Sequence, residues 1–370
     1  MKDTTKYVGL DVSKEKIAVA IANDGREEPR YYGMIPHTFE AVRKLVEKLG
    51  EPHTLRVCYE AGPTGYPLYR FLMTLGIHCE VIAPSLIPSR PGERIKTDRR
   101  DAIRLAQLYR AGELTSIYVP TPEDEALRDL VRAREDAKED ELRAKHRLTK
   151  FLLRQNIHPP KGVNKWTKKY REWLDTLKFD STSLRLVYQE YYHQLKELEQ
   201  RVKRYEEEMK CQATEGIHAP IIQALQGLRG IALVTATSLA AEIGSFRRFG
   251  TPRGIMGYTG LIPSEYSSGE RRRQGAITKT GNRHVRKLLI EAAWSYLYQP
   301  AVRGELKKRI EHLPLSIQSI SWKAQNRLHK KYYRLIAKGK EKNKAIVAVA
   351  RELAGFIWAI AQEVEEIRPH

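Results

Sequence analysis

Four acidic residues stand where a sheet and a helix can bring carboxylates together. Asp11 follows the apolar run YVGL (residues 7–10), and Glu60 ends the run LRVCYE (residues 55–60). Asp98 and Asp101 lie three residues apart in KTDRRDA (residues 96–102), so on a helix they share one face. Carboxylates are the hard oxygen ligands that Mg²⁺ and Mn²⁺ prefer. The pattern predicts a site for two such ions, which on a phosphodiester stabilise the attacking and the leaving oxygen.

The same acids have a second interpretation that needs no metal ion. Lys96, Arg99 and Arg100 flank Asp98 and can neutralise the carboxylates, or grip a phosphate beside them. A helix N-terminus also tolerates acids, because its dipole favours negative charge. The residue pattern alone leaves both interpretations open.

Ser268 is the candidate nucleophile. It precedes Gly269 and the triple arginine of residues 271–273, and no acid occurs from residue 271 to residue 287. Arginines can hold a scissile phosphate and stabilise its developing charge, and a serine there can attack phosphorus and form a phosphoserine link. Ser267 is the alternative nucleophile, and His284 is a candidate base. An ordinary turn serine in a loop of residues 257–270 is the simpler interpretation.

The composition favours a polyanionic partner. The chain has 370 residues, and 65 Lys and Arg against 45 Asp and Glu give a net charge of +20. Such a charge suits nucleic acid. A membrane partner is not expected, since no run of about 18 apolar residues is present. The three cysteines, Cys58, Cys79 and Cys211, have no zinc spacing and are expected to be reduced thiols in a cytoplasmic protein.

The first 115 residues alternate strand and helix patterns. Strands are predicted at 6–12, 16–22, 30–34, 54–60 and 77–83, and helices at 39–49, 66–75 and about 98–111, the last with Thr97 as N-cap. A strand hairpin followed by alternating helices and strands is the order expected of an α/β ribonuclease-H-like fold. This fold would position the four acids.

Two long helices are predicted next, from residue 122 to a break at residues 158–162 and from about 183 to 209. Their heptad-like apolar spacing predicts one buried stripe on each helix, which includes Leu142 and Leu153 in the first and Leu186 in the second. The pattern indicates a helical hairpin that serves as spacer or assembly contact. Beyond residue 213, Gly227 and Gly230 lie in a turn between two helices. Backbone N–H groups at such a turn can hold a phosphate, although a helical hairpin needs glycines for its turn in any case.

Basic residues continue to the C-terminal part of the chain. Arg273, Lys279 and Arg283 follow Ser268, and Asn282 can open a helix of residues 283–297. The stretch 322–344 is also basic, with Trp322, Tyr332 and Tyr333 among its cations. Bases of a single strand can stack on such rings. A solvated amphipathic helix is the simpler interpretation.

These pieces together resemble one family. They are VGLDVSK (8–14), YEAGPTG (59–65), KTDRRDA (96–102), LRGI (228–231), GLIP (260–263), SG (268–269) and ITKTGN (277–282). In this order they are similar to the transposases of the insertion sequence 110 family, which are bridge-RNA-guided recombinases with the Piv-type DNA invertases as relatives. A proline usual in the family's glycine turn is missing from Gly227-Leu228-Arg229-Gly230.

The resemblance implies an architecture and a set of site residues. It implies a RuvC-like domain over residues 1–118, a helical coiled-coil assembly region over 119–212, and a mostly α transposase domain with a helix-hairpin-helix-like element over 213–370. Asp11, Glu60, Asp98 and Asp101 match the family's DEDD metal ligands, and Ser268 matches its nucleophile. The residues expected to contact nucleic acid are Arg271, Arg272, Arg273, Lys279, Arg283, Gly227 and Gly230.

The function that the resemblance implies is RNA-guided, site-specific DNA recombination that mobilises an insertion sequence. The expected cofactor is Mg²⁺ or Mn²⁺. The expected partners are donor and target DNA, a structured guide RNA from the same element, and further copies of the chain in a dimer or tetramer. The expected location is the prokaryotic cytoplasm, at the nucleoid. Two alternatives remain: a RuvC-like junction nuclease that uses water, and a non-catalytic nucleic-acid-binding assembly protein.

Overall fold

The computed structural model describes residues 4–88, 97–268 and 271–367. The chain divides into two compact units, Met1–Pro120 and Thr121–His370. The first boundary lies next to the one predicted between residues 118 and 119. The boundary predicted between 212 and 213 falls inside the second unit, so the division into three domains stays a prediction.

The first unit is built on a mixed five-stranded sheet with the order β3-β2-β1-β4-β5. Strands β1, β2 and β3 are antiparallel, while β4 and β5 run parallel to β1. The order of strands and helices along the chain is the predicted one, and a mixed sheet fits the expected α/β fold. The elements are β1 (Lys6–Val12), β2 (Lys16–Asn23), β3 (Arg30–Pro36), α1 (Phe39–Leu49), β4 (Leu55–Glu60), α2 (Pro67–Thr74), β5 (His78–Ile82) and α3 (Asp98–Arg110).

Helices cover both faces of this sheet, which explains why the six inner residues of β2 are all buried. On one face Ile17 and Val19 of β2 pack in a cluster with Val42 of α1 and Leu72 of α2. On the other face the small side chains of β2, such as Ala20, pack against α3. Small residues on this second face let α3 lie close to the strands.

Cys58 and Cys79 are buried free thiols and Cys211 is an exposed one, as predicted.

The second unit is largely helical and contains one two-stranded hairpin among its described residues. A cluster of Leu127 and Val131 of the first long helix with Met209 and Ala241 joins the long helices to the rest of the unit. Its elements are α4 (Pro122–Arg154), α5 (Lys168–Thr176), α6 (Thr182–Glu215), α7 (Ala219–Leu225), α8 (Leu233–Ile243), α9 (Pro252–Tyr258), β6 (Pro263–Ser268), β7 (Arg271–Ile277), α10 (Arg283–Ala293), α11 (Gly304–Ile310), α12 (Leu315–Ala337) and α13 (Lys342–Ile367).

Helices α4 and α6 form the predicted helical hairpin, with their far ends joined by a cluster that includes Leu148, Phe151 and Leu195. The apolar stripe was partly wrong. Leu142 and Leu153 of α4, and Leu186 of α6, are more than half exposed. A strict seven-residue repeat drifts around a straight helix, so some positions on the predicted stripe turn outward.

Helix α13 is the central core helix of the second unit. Its buried residues, among them Val349, Leu353 and Ile357, belong to the largest apolar cluster described. By length and composition alone, residues 342–365 could cross a membrane, but half of the apolar window is buried inside the protein. Packing against α7, α9, α10 and α12 accounts for its apolar character.

Candidate functional site

The two strand acids lie side by side. Strands β1 and β4 are parallel neighbours, with Leu10 opposite Tyr59. Asp11 and Glu60 are the next residues in these two strands, so they stand at the same level of the sheet. Both are half-buried. Adjacent positions on parallel strands are about 5 Å apart, so the two carboxylates share one sheet edge.

Both acids are on the face that carries α3. A Cβ on Gly9 would lie 2.5 Å from the Ala102 carbonyl oxygen of that helix, and Cys58 donates its S–H to the Leu105 carbonyl oxygen at 3.8 Å. Side chains alternate along a strand, so the residues two positions after Gly9 and Cys58 face the same side. Those residues are Asp11 and Glu60.

The direction of α3 brings the helix acids to the same edge. At the C-terminal end of α3, Arg110 donates to the Asn23 carbonyl oxygen at 3.1 Å, and Asn23 pairs with Lys6 at the start of β1. Helix α3 therefore runs antiparallel to β1. Its first turn, with Asp98 exposed and Asp101 half-buried, lies at the Asp11 end. The Thr97 side chain caps this turn by accepting from the Arg100 N–H, as predicted.

The four acids share an edge and a face without forming a closed ligand shell. Among the described residues, no three His, Cys, Asp or Glu side chains are grouped closely enough to hold a metal ion. The donors do fit a divalent cation by their chemistry, because all four are carboxylates. The ligand roles of Asp11, Glu60, Asp98 and Asp101 remain predictions.

One of the neighbouring cations is directed to an aromatic ring. The Arg99 guanidinium lies 5.2 Å from the ring centroid of Tyr31 on β3. A cation over a ring face is a favourable contact. Lys96 lies outside the described residues.

The candidate serine is at the tip of a β-hairpin, where a loop was predicted. Ser268 is the last residue of β6 and pairs with Arg271, the first residue of β7. The side chains of Ser268, Arg271 and Arg272 lie outside what the structure describes, as do residues 269 and 270 altogether. The backbone nevertheless places the serine opposite the arginine run, on the neighbouring strand.

The alternative serine is engaged within the hairpin. Ser267 Oγ donates to Glu265 Oε1 at 2.8 Å, while Gln274 of the facing strand donates to the other Glu265 oxygen at 3.4 Å. Arg273, Lys279 and Arg283 are all exposed. Contact with a polyanion requires such exposure, and their nucleic-acid role stays a prediction.

The base of the hairpin is fixed by backbone hydrogen bonds. The Thr278 N–H donates to the Ile262 carbonyl oxygen at 2.9 Å, and the Asn282 N–H donates to that of Tyr258 at 3.2 Å. Arg286 adds a side-chain bond to the Thr259 carbonyl oxygen at 3.0 Å. The predicted helix opening is confirmed, because the Asn282 side chain caps α10 by accepting from the Val285 N–H. Motif ITKTGN thus anchors the hairpin to α9 and α10.

A buried carboxylate links this anchor to the long helix α4, and sequence reasoning missed it. Glu242 of α8 is 2% exposed. It accepts from Arg132 Nε at 2.7 Å and Nη2 at 3.0 Å, and from Asn282 Nδ2 at 2.7 Å. The Tyr258 hydroxyl donates to the Glu242 carbonyl oxygen at 3.2 Å. A lone acid in the apolar helix LVTATSLAAEI was the available signal, since a buried charge requires partners.

These bonds set the charge state of Glu242. Burial alone would favour the neutral acid, but the hydrogen bonds from Arg132 and Asn282 outweigh it, so the pKa of the Glu242 carboxyl lies below its ordinary value. The carboxylate is therefore charged at neutral pH. It holds α4, α8 and the N-terminus of α10 in one arrangement.

Two residues of the basic stretch, His284 and Lys287, bind an acid of helix α4. Glu135 of α4 accepts from the His284 ring Nδ1 at 2.9 Å and from Lys287. Burial opposes its ionisation, but Lys287 and His284 together keep the pKa of Glu135 below its ordinary value. His284 therefore belongs to a hydrogen-bonded cluster between α4 and α10. Its role as the base for Ser268 remains untested.

The glycine turn is packed against the protein. Gly230 has φ +81°, and a Cβ there would lie 2.5 Å from the Ala292 carbonyl oxygen. Gly227 is buried, a Cβ there would lie 2.8 Å from Leu313, and its carbonyl oxygen accepts from Ser321 Oγ at 2.6 Å. Close packing explains both glycines. Phosphate binding by this turn stays a prediction.

Comparison with known proteins gives matches along most of the chain. Residues 8–157 match the model of the DEDD transposase family of IS110 elements, described as transposase. Residues 222–306 match the transposase IS116/IS110/IS902 family. The two matches contain all four acids and Ser268.

Full-length relatives agree with these matches. A putative transposase of Sinorhizobium fredii, y4qE, is 42% identical over 97% of this chain and 89% of its own length. The transposase for insertion sequence element IS1533 of Leptospira borgpetersenii is 32% identical over 90% of this chain and 98% of its own length. The transposase for element IS1111A of Coxiella burnetii is 24% identical over 100% and 92%. The chain therefore belongs to the IS110 family of insertion-sequence transposases, enzymes that act on DNA.

Proposed function

We propose that this transposase exchanges DNA strands with the help of divalent cations held by Asp11, Glu60, Asp98 and Asp101. The observation that carries the proposal is the meeting of two parallel strand ends and a helix start at one sheet edge. When bound, Mg²⁺ or Mn²⁺ would stabilise charge on the attacked phosphate and its departing oxygen. The carboxylates keep the ions at this edge.

Ser268 is the nucleophile in this proposal. Its Oγ attacks phosphorus, the bond from phosphorus to the departing DNA oxygen breaks, and the serine proton ends on that oxygen. The phosphodiester is thereby kept as a phosphoserine ester. In the second half, a hydroxyl of the incoming strand attacks the same phosphorus, and the proton returns to Ser268. Each step replaces one phosphate ester by another, so the exchange needs no external energy source.

The arginine run on the facing strand supports this role for Ser268. Ser268 pairs with Arg271 and Ser267 with Arg272 in the backbone register of the hairpin. Arginine binds phosphate oxygens through two parallel N–H bonds, which fixes its orientation. Arg271, Arg272 and Arg273 would hold the phosphate or an RNA backbone, with Lys279 and Arg283 beside them.

Base pairing with a guide RNA supplies sequence specificity in this proposal. The protein contributes net charge of +20 for backbone contacts. By analogy with other guided systems, it would recognise the shape of the paired nucleic acids rather than their sequence. The family resemblance to bridge-RNA-guided recombinases, with the Piv-type invertases as relatives, is the support for this part.

The proposed active form is an oligomer, a dimer or a tetramer. Leu142 and Leu153 of α4 are 11 residues apart, about three helical turns, and so lie on one side of the helix. Both are exposed, as is Leu186 of α6. Apolar side chains on the outside of a helical hairpin suit packing against a second copy.

A strand-exchange assay tests the serine. Purified Ser268→Ala protein, supplied with donor DNA, target DNA, guide RNA and Mg²⁺, should form no recombinant product. Ser267→Ala is the matched control and should recombine. Undiminished product from Ser268→Ala would favour the water-using junction nuclease or another nucleophile.

Loss of metal binding without loss of DNA binding in Asp11→Asn separates both enzymes from a non-catalytic assembly protein.

A further inference from the structure

Helix α12 carries a basic face that the proposed chemistry does not use. It lines a surface cleft of about 1050 Å³ together with α13. Five lining residues are cations: Lys323, Arg327, Lys330, Lys331 and Arg334. One lining residue, Glu352 of α13, is acidic, so five positive charges against one negative leave an excess of four.

The acid is committed to two of the five cations. Glu352 forms ion pairs with Arg327 and Lys331, which tie α12 to α13. The other three, Lys323, Lys330 and Arg334, are exposed to solvent. The cleft therefore keeps a positive outer wall after its internal pairing is complete.

The cations form a row rather than a point. From Lys323 to Arg334 the helix advances 11 residues, roughly 16 Å along its axis at 1.5 Å per residue. Arg327 and Lys330 fall between them. A row of this length fits a chain with repeated negative charges better than a single anion, which would be bound by one converging cluster.

An exposed aromatic ring stands at the edge of this row. Trp322 lines the cleft and is 47% exposed, and the half-buried Phe356 of α13 lines it as well. Tyr333, about three turns further along α12, is 51% exposed, and its hydroxyl donates to the Leu297 carbonyl oxygen. Tyr332, the third ring of the stretch, is buried in the core and cannot stack on a ligand.

Rings beside a row of cations select one form of polyanion. In a duplex the base faces are stacked on each other and closed to side chains. In a single strand they are open, and a tryptophan can stack on a base of any identity while cations contact the backbone. A protein or a lipid surface would not need the combination of a flat exposed ring and regularly spaced cations.

We infer that the α12–α13 cleft binds single-stranded DNA, with Trp322 stacked on a base and Lys323, Lys330 and Arg334 on phosphates. DNA is the occupant because the family acts on DNA. The inference deepens the proposed strand exchange and rests on it, since a strand freed by cleavage exposes unpaired bases. The cleft would hold that strand until it is rejoined.

Binding of a fluorescent oligothymidylate to the full-length protein tests the stacking contact. Trp322→Ala should weaken binding about 5- to 150-fold, the loss of one base–aromatic stack. Trp322→Phe should keep most of the affinity. Titration with unlabelled oligothymidylate should quench tryptophan emission in the natural protein, and most of this quenching should be missing in Trp322→Phe.

The salt dependence tests the cation row. The triple variant Lys323→Gln, Lys330→Gln, Arg334→Gln should lower the slope of log affinity against log salt by about 2, since each single-strand phosphate contact contributes about 0.7. The matched control changes the same number of exposed cations on α6, as Arg201→Gln, Lys203→Gln, Arg204→Gln. It should leave the slope unchanged.

Three results would overturn the inference: equal losses in the α6 control, equal affinity for a duplex of the same length, or Trp322-dependent binding of oligouridylate but not of oligothymidylate. Thermal unfolding of each variant serves as the folding check, and these exposed positions should leave it unmoved. Ser268→Ala protein is expected to bind oligothymidylate normally. Its failure in recombination is therefore distinguishable from failure at the cleft.

Discussion

The guanidinium of Arg132 on α4 and the buried carboxylate of Glu242 on α8 form a two-point hydrogen-bonded ion pair, at 2.7 Å and 3.0 Å. Glu242 also accepts a hydrogen bond from Asn282, the N-cap of α10. Asn282 in turn closes the base of the β6–β7 hairpin that carries Ser268, here called the serine hairpin. One carboxylate thus ties the long helix to the segment that carries Ser268. The position of α4 and the position of the hairpin base are therefore coupled through the Glu242 carboxylate.

Replacement of Arg132 by Met should destabilise the protein by about 2–3 kcal/mol. Methionine keeps the aliphatic stem but leaves the buried Glu242 charge without its main partner. The loss stays below the 3–5 kcal/mol typical of a fully buried pair, because the Arg132 side chain is 45% exposed. Urea unfolding followed by fluorescence measures the change. The control Arg143→Met, on the exposed side of α4, should cost under about 0.5 kcal/mol.

Lowering the pH should reduce the stability that the ionised Glu242 carboxylate contributes. Glu242 has a folded-state pKa below its ordinary value of 4.5. Its contribution is complete above about pH 4.5 and disappears as pH falls through the lowered pKa. We expect melting temperature to fall more steeply below pH 4.5 in the natural protein than in Glu242→Gln. If melting temperature depended on pH in the same way in both proteins, Glu242 would not be a charged partner of Arg132 and Asn282.

The close packing around Gly230 of the glycine turn is testable by two alanine substitutions. Gly230→Ala meets both an unfavourable φ of +81° and the Ala292 carbonyl oxygen, so it should cost about 2–4 kcal/mol. Gly162→Ala has a similar φ of +84° but no atom within 4 Å, and should cost about 1 kcal/mol. Equal melting temperatures for the two variants would show that the close contact near Gly230 is absent.

The strand acids are testable by ion binding without any activity measurement. Asp11→Asn preserves size and removes a charge, so the affinity for Mn²⁺ in calorimetric titration should fall at least about tenfold. Asp24→Asn is the control, because Asp24 is an exposed residue of the β2–β3 turn that accepts only a local bond from the Gly25 N–H among those described. Unchanged Mn²⁺ affinity in Asp11→Asn would remove Asp11 from the ligand set.

Much of the first unit could be predicted from the sequence because local signals and packing agree there. Helix α1 has the predicted bounds, and its buried residues Val42, Leu45 and Leu49 have the predicted spacing. The same helical spacing of apolar residues predicts Phe39 on this face, but Phe39 is 48% exposed and stacks on Phe71 instead. Asp11 and Glu60 were predicted at strand ends, and the structure shows that those two strands are neighbours.

The serine hairpin could not be predicted by the same reasoning. Strands β6 and β7 read PSEYSS and RRRQGAI, which carry no alternation of apolar and polar residues. Backbone bonds at the hairpin base, with Thr278 and Asn282 as donors, hold it instead of a buried face. Such bonds leave no hydropathy signal.

The partners of Glu242 could not be predicted for a different reason. An acid within an apolar helix signals that a partner must exist, but the partners Arg132 and Asn282 lie 110 and 40 residues away in the chain. Nothing in the local sequence identifies them. The same holds for Glu135 and His284, since the histidine that spacing alone offered as a base is hydrogen-bonded to an acid 149 residues away in the chain.

Identification of the residue joined to DNA tests the central claim most directly. The protein is incubated with guide RNA, Mg²⁺ and a DNA substrate that carries a nick just beyond the cleavage position, so that the departing fragment diffuses away. Denaturing electrophoresis and mass spectrometry of the digested adduct then locate the attached nucleotide. The account predicts a nucleotide on Ser268, absent from Ser268→Ala and from Asp11→Asn. Cleaved DNA with no attached protein, or a nucleotide on Ser267, would contradict it.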